Sequence, residues 1–257
     1  MKKLKILLVF FFYFSFFDCL IYANAAEAPP FRARWPIVNL ELEAGARGFK
    51  TFDEDSSLDG ASKQRYGLGV GVTDWFFFEI EGEYKKEPDG SKKFKAYEID
   101  SRFEITKTKD FNEKPNPVDI GISLGFSAPD DSDDAYEIES RLLLYKRIGP
   151  WRGTGNIVIE QEFGNSSSSG LELAYAGQVR YRVTPNIQPG FEVFGKFGEF
   201  DDMAVGNEQH KIGPGVFGFV ELDENIGIKY EFSWLFGYTE ATPENSLKWL
   251  FEFEYKY

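Results

Sequence analysis

From residue 36 to the end of the chain, apolar and polar residues alternate with a period of two, and the polar phase is ionic. Phe76, Phe78, Ile80 and Tyr84 interleave with Glu79, Glu81 and Glu83. Tyr97, Ile99, Phe103 and Ile105 interleave with Glu98, Asp100, Arg102 and Glu104. Successive side chains of an extended chain point to opposite faces, so this period predicts strands. Such segments occupy 36–49, 62–73, 75–86, 93–107, 117–127, 136–147, 153–163, 171–183, 187–198, 209–220, 225–237 and a last one ending at Tyr257. The pattern therefore predicts about twelve strands and no helix. Only 209–220 is ambiguous, because Val216, Phe217, Phe219 and Val220 fall on both faces.

Alternation does not say which face meets solvent. A soluble sandwich or ligand-binding barrel also alternates, with the apolar face inward. Three features favour the inverted arrangement. The polar phase is dense in acids and bases, which can pair across a lumen but not in lipid. Aromatics recur towards segment ends (Trp75, Phe76, Tyr84, Tyr97, Tyr136, Tyr181, Tyr230), as expected of interfacial girdles. The segments are also longer than the usual strands of soluble sheets. Connections support the same reading: mostly short turns such as Thr73-Asp74 alternate with longer polar loops at 50–61, 87–92, 128–135, 164–169, 199–208 and 238–245. The chain is predicted to be an all-β, antiparallel up-and-down transmembrane barrel over 36–257. This resolves a compositional conflict, since the chain is 18% aromatic yet has a mean hydropathy of −0.35.

Residues 1–25 read as a cleaved signal peptide. Lys2, Lys3 and Lys5 precede an apolar run from Ile6 to Phe17, and Ala23-Asn24-Ala25 supplies small residues for cleavage. The run is too short to span a bilayer. Cleavage removes three lysines, Asp18 and the only cysteine, Cys19, and takes the net charge from −13 to −15. Residues 26–35 then form an N-terminal periplasmic segment. An acidic chain offers no basic face for phosphates, so no nucleic acid is expected as a partner.

The ending Lys248-Trp249-Leu250-Phe251-Glu252-Phe253-Glu254-Tyr255-Lys256-Tyr257 resembles the C-terminal assembly signal of Gram-negative outer-membrane β-barrels, with a terminal aromatic and apolar residues at alternate positions before it. The resemblance implies an outer-membrane location in a Gram-negative bacterium and recognition by the barrel-assembly machinery through Trp249, Phe251, Phe253, Tyr255 and Tyr257. The stretch Tyr66-Gly67-Leu68-Gly69-Val70-Gly71-Val72-Thr73-Asp74-Trp75 is similar to a strand–turn–strand of outer-membrane barrels assigned to phenol-degradation pathways or to transport.

No catalytic constellation emerges. His210 is the single histidine, and Ile212 stands where the outer-membrane phospholipase family places a serine. A nucleophile needs a positioned base, so an outer-membrane lipid hydrolase is the least favoured reading. Gly67, Gly69, Gly71, Gly121, Gly125, Gly213 and Gly215 lie on the polar phase and read as packing relief rather than a phosphate loop. Acidic runs at Asp53-Glu54-Asp55, Asp130-Asp131-Ser132-Asp133-Asp134 and Asp201-Asp202 read as solvated loops; none has calcium-loop spacing, and no metal or cofactor is implied. Cation-bridged contact of these loops with lipopolysaccharide is a subsidiary expectation, beside contact of the barrel with outer-membrane lipid.

Twelve strands enclose more room than eight, whose interior side chains just fill the barrel. The sequence therefore predicts a porin-like channel for small solutes with an acidic, cation-favouring lumen. Its candidate lining residues are Glu79, Glu81, Glu83, Glu98, Asp100, Arg102, Arg141, Arg180, Arg182, Lys229 and Glu231. The alternative is a closed structural or surface-interaction barrel that acts through its acidic loops.

Overall fold

The computed structural model describes residues 32–36, 38–86, 92–107, 116–167, 170–199 and 208–257. Residues 1–25, residues 26–31 of the expected periplasmic segment and Asp201-Asp202 lie outside the described residues. Twelve strands follow one another: β1 (Glu41–Phe52), β2 (Ser62–Gly71), β3 (Phe76–Lys86), β4 (Lys92–Glu104), β5 (Asp119–Pro129), β6 (Tyr136–Ile148), β7 (Trp151–Phe163), β8 (Leu171–Tyr181), β9 (Gln188–Glu199), β10 (Gln209–Asp223), β11 (Ile226–Gly237) and β12 (Asn245–Lys256). Each pairs antiparallel with its sequence neighbour, and β1 pairs with β12 to close the barrel. Closure removes every free sheet edge.

Burial fixes which phase faces inward. Glu79, Glu81, Asp100, Arg102, Arg141, Arg180 and Lys248 are buried, whereas Leu68, Ile80, Ile99, Leu124, Ile138, Ile157 and Val179 on the other phase are exposed. The barrel is thus polar inside and apolar outside. Aromatic clusters mark both rims. Tyr136 stacks on Phe163 (5.5 Å) at the long-loop end, and Phe76 stacks on Phe103 (5.0 Å) at the short-turn end. The two-faced pattern of β10 is settled by Phe217, which is fully buried and points inward, while Val216 is exposed.

One boundary differs from the sequence expectation. The first strand begins at Glu41 rather than at residue 36. Pro36 has no N–H to offer a ladder, and the Val38 amide donates to the Glu104 carboxylate (2.7 Å) rather than to a neighbouring strand. Val38 is fully buried at the short-turn rim, where the Lys107 ammonium donates to its carbonyl (2.7 Å). The chain upstream of this point runs into the barrel.

Candidate functional site in the barrel lumen

The chain enters the lumen past two glycines. A Cβ on Gly71 would stand 1.7 Å from the Asn39 carbonyl oxygen, and one on Gly121 would stand 2.8 Å from the Pro36 Cβ. Any larger residue at either place would block the entry. Residues 32–36 were expected to contribute to a periplasmic segment and the start of the first strand; instead they lie inside the barrel, with Arg32, Ala33, Arg34 and Pro36 buried. The physical reason is charge. Glu79 faces Asp100, and Glu81 faces Glu98, directly across the β3–β4 pair. Like charges opposite one another destabilise a sheet unless cations intervene.

Arg34 supplies one such cation. Its Nη1 stands 2.7 Å from Asp100 Oδ1 and donates to Glu79 Oε2 at 3.2 Å. Arg32 pairs with Glu252 on β12 and lies 3.6 Å from Glu79. The backbone of the segment is held as well. The Asn156 side chain on β7 accepts from the Arg34 amide (2.7 Å) and donates to the Arg34 carbonyl (2.9 Å). Arg141 on β6 donates to the Arg32 carbonyl (3.0 Å) while gripping Glu139 with its other nitrogens.

The other side of the segment is apolar. Ala33 packs into a buried cluster with Ala176, Phe194 and Leu235 of β8, β9 and β11. Trp35 lies beneath the Arg180 guanidinium (4.1 Å to the ring centroid) and against Tyr145 (5.4 Å). The segment therefore alternates as the strands do, basic towards β3, β4 and β12 and apolar towards β6, β8, β9 and β11.

Several other lumen charges pair among the strands, whereas Lys211 donates to the Ser246 hydroxyl and Arg180 lies over aromatic rings. Arg47 on β1 pairs with Glu81, and Arg65 on β2 pairs with Glu98 and with Glu83 (2.7 Å). Lys248 bridges Glu192 (2.6 Å) and Glu231 (3.0 Å), and Lys229 pairs with Glu252 (2.6 Å). Lys196 bridges Glu160 (3.3 Å) and Glu172 (2.5 Å). Two carboxylate groupings come close enough to share an ion, Glu43–Glu79–Glu252 and Glu137–Glu139–Glu160. Both already have side-chain cations beside them, Arg32 and Lys229 in the first and Arg141 and Lys196 in the second.

The structure thus places Glu79, Glu81, Glu83, Glu98, Asp100, Arg102, Arg141, Arg180 and Glu231 in the barrel interior. Lys229 reaches inward to Glu252, and Arg182 lies in the turn after β8, half-buried. The lumen they form is not uniformly acidic, because Arg47, Lys196, Lys211 and Lys248 are buried with them. Sequence reasoning passed over Arg32, Arg34, Trp35 and Asn156. The usable signal was Arg32-Ala33-Arg34-Trp35-Pro36, two alternating arginines and a proline immediately before an acid-rich train of strands.

His210 sits on the outer phase near the long-loop rim. Its Nδ1 meets the Tyr175 hydroxyl (3.1 Å) and its Nε2 lies 3.5 Å from Glu208. The loop after β1 is closed on itself: Ser57 donates to Asp55 from its amide and hydroxyl (both 2.8 Å), which holds the Asp55 carboxyl below its ordinary range.

No family model and no curated protein matches the sequence. Solved structures do match. The COG4313 outer membrane channel from Pseudomonas putida F1 aligns over 89% of this chain and 99% of its own, with a TM-score of 0.60 and 12% identity. The NanC porin aligns over 83% of this chain and 100% of its own, with a TM-score of 0.53 and 9% identity. At these identities the likeness is one of fold.

Proposed function

We propose that this protein is an outer-membrane, porin-like channel for small solutes whose lumen is occupied by its own N-terminal segment. The observation that carries the reading is the interior itself: a closed twelve-strand barrel lined by ionic side chains, with residues 32–36 seated in it through side-chain contacts. A barrel of this strand number has room that its own side chains do not fill. The fold shared with two outer-membrane channels supports the same function. The exposed apolar belt faces membrane lipid, and the acidic loops face lipopolysaccharide. Residues 1–25 act as the export signal, and Trp249, Phe251, Phe253, Tyr255 and Tyr257 as the signal read by the assembly machinery.

Cation preference resides in the β3–β4 wall and is expressed when Arg32 and Arg34 withdraw from it, since rings of carboxylates favour cations. Planar-bilayer recording tests the proposal. The native protein is expected to pass little current, and the double variant Arg32→Ala/Arg34→Ala to pass several-fold more with a cation preference. A second reading, a closed barrel acting through its loops, is favoured by the segment seated in the lumen; it predicts that both proteins insulate. A lipid hydrolase at His210 predicts an activity lost in His210→Ala.

A further inference from the structure

The N-terminal segment occupies a site that is built for more than charge. Two guanidinium seats lie side by side: Glu79 and Asp100 take Arg34, and Glu252 takes Arg32. A carboxamide reads the main chain of one residue in both directions, because Asn156 accepts from the Arg34 N–H and donates to its C=O. Arg141 reads the carbonyl two residues earlier. These are main-chain contacts, and they would serve any peptide of the same length and direction. Side-chain contacts on the apolar side then set a sequence preference. The Ala33 seat, closed by Ala176, Phe194 and Leu235, accepts a small side chain. The Arg180 face accepts an aromatic ring.

We propose that the lumen is a recognition site for short, extended basic peptides with an arginine–small–arginine–aromatic pattern, and that the chain's residues 32–35 hold it as an internal competitor. The inference rests on the reading of the barrel as a channel with a displaceable segment, and it specifies the solute class. An Arg side chain suits these seats, because its guanidinium keeps its charge and spreads several N–H donors: Arg34 Nη1 meets Glu79 and Asp100 together, while its Nη2 lies 3.9 Å from Glu81. An internal ligand lowers the apparent affinity of an external one by the fraction of molecules in which the site is free. Removing the Arg32 and Arg34 side chains therefore weakens the internal competitor, by its ion pairs with Glu79, Asp100 and Glu252, without touching the barrel residues that form the site.

The test uses the full-length Arg32→Ala/Arg34→Ala protein in detergent micelles and the dansylated hexapeptide Phe-Arg-Ala-Arg-Trp-Pro, followed by fluorescence anisotropy. Saturable binding is expected, at least about tenfold tighter than to the native protein, as relief of internal competition requires. The same hexapeptide with glutamine at both arginine positions is expected to bind at least about tenfold more weakly, the loss of charge-assisted contacts to Glu79, Asp100 and Glu252. Adding Asn156→Leu to the double variant is expected to weaken the arginine peptide by a similar factor. Absence of saturable binding, or equal binding of the glutamine peptide, overturns the proposal. If the double variant does not fold, Cys19→Ser/Ala33→Cys in the otherwise native chain replaces it. The arginine peptide is then expected to raise the rate of maleimide labelling at position 33 at least about tenfold by displacing the segment, and an unchanged rate overturns the proposal. Peptide binding to a protein that insulates bilayers sinks the channel reading alone, whereas conductance without peptide binding sinks this inference alone.

Discussion

Strands β3 and β4 stand six places around the barrel from β9 and β10, and the two walls solve the same problem differently. On β3–β4, carboxylates oppose carboxylates, Glu79 with Asp100 and Glu81 with Glu98. On β9–β10, Phe194 opposes Lys211 and Glu192 opposes Gly213. The second wall is completed by side chains of the strands around it. Lys248 from β12 joins Glu192, the Gln178 amide and the Ser233 hydroxyl donate to the same carboxylate (2.9 and 2.5 Å), and Phe194 and Phe217 fill the space beside them. Part of the acidic wall is also served locally, by Arg47 and Arg65. The Glu79–Asp100 pair draws only on a distant Arg47 (3.9 Å from Glu79) and the Ser123 hydroxyl from within the sheet, and its nearest shared cation, Arg34, comes from outside it. A barrel wall left short of cations by its own register is a wall that can recruit, hold and release a charged segment.

This contrast can be broken deliberately. The largest effect is expected for Arg34→Ala, which leaves two facing carboxylates buried without their shared cation; the loss of stability should be about 3–5 kcal/mol, as for other broken buried pairs. Urea unfolding in detergent micelles measures it. Adding Glu79→Gln and Asp100→Asn to Arg34→Ala should restore much of the loss, because the neutral pair no longer needs a cation. On the opposite wall, Phe217→Ala should cost about 3 kcal/mol through the cavity it leaves, but it should leave the accessibility of a cysteine at position 33 unchanged. A rise in accessibility there would mean that the segment leans on both walls equally.

Smaller effects test the path of the segment. Gly71→Ala drives a methyl into the Asn39 carbonyl and should cost about 2 kcal/mol by overpacking, accompanied by faster proteolysis of the N-terminal segment. Tyr257→Phe removes the hydroxyl that donates to the Gly71 carbonyl (2.6 Å) and should cost about 1 kcal/mol. Because that contact lies at the barrel seam and not in the lumen, conductance should not change with it.

The strand train was readable because a barrel imposes one simple rule on its residues, and this chain obeys it almost throughout. Where β10 blurred the rule, the cause was an inward phenylalanine: Phe217 fills lumen space opposite the acidic wall, so apolar residues fell on both phases. The start of β1 was misplaced because Val38 and Leu40 continue the alternation, although Val38 points into the lumen rim and bonds to Glu104. The lumen phase of Glu79, Glu81 and Asp100 was visible, yet its pairing was not. Cross-strand register decides that Glu79 meets Asp100, and register follows from turn geometry and long-range packing rather than from local pattern. Nor does a period of two announce that Arg32 and Arg34, written before the first strand, end up among those carboxylates. Their position depends on barrel closure, which creates the space, and on Asn156, more than a hundred residues away, which seats the backbone.

The most direct test of a channel held shut by its own N-terminal segment is single-channel conductance of the native protein beside Arg32→Ala/Arg34→Ala in the same planar bilayer. The account predicts small or absent steps for the native protein and several-fold larger, cation-preferring steps for the variant. Equal conductance in the two proteins, or insulating bilayers from both, would contradict it.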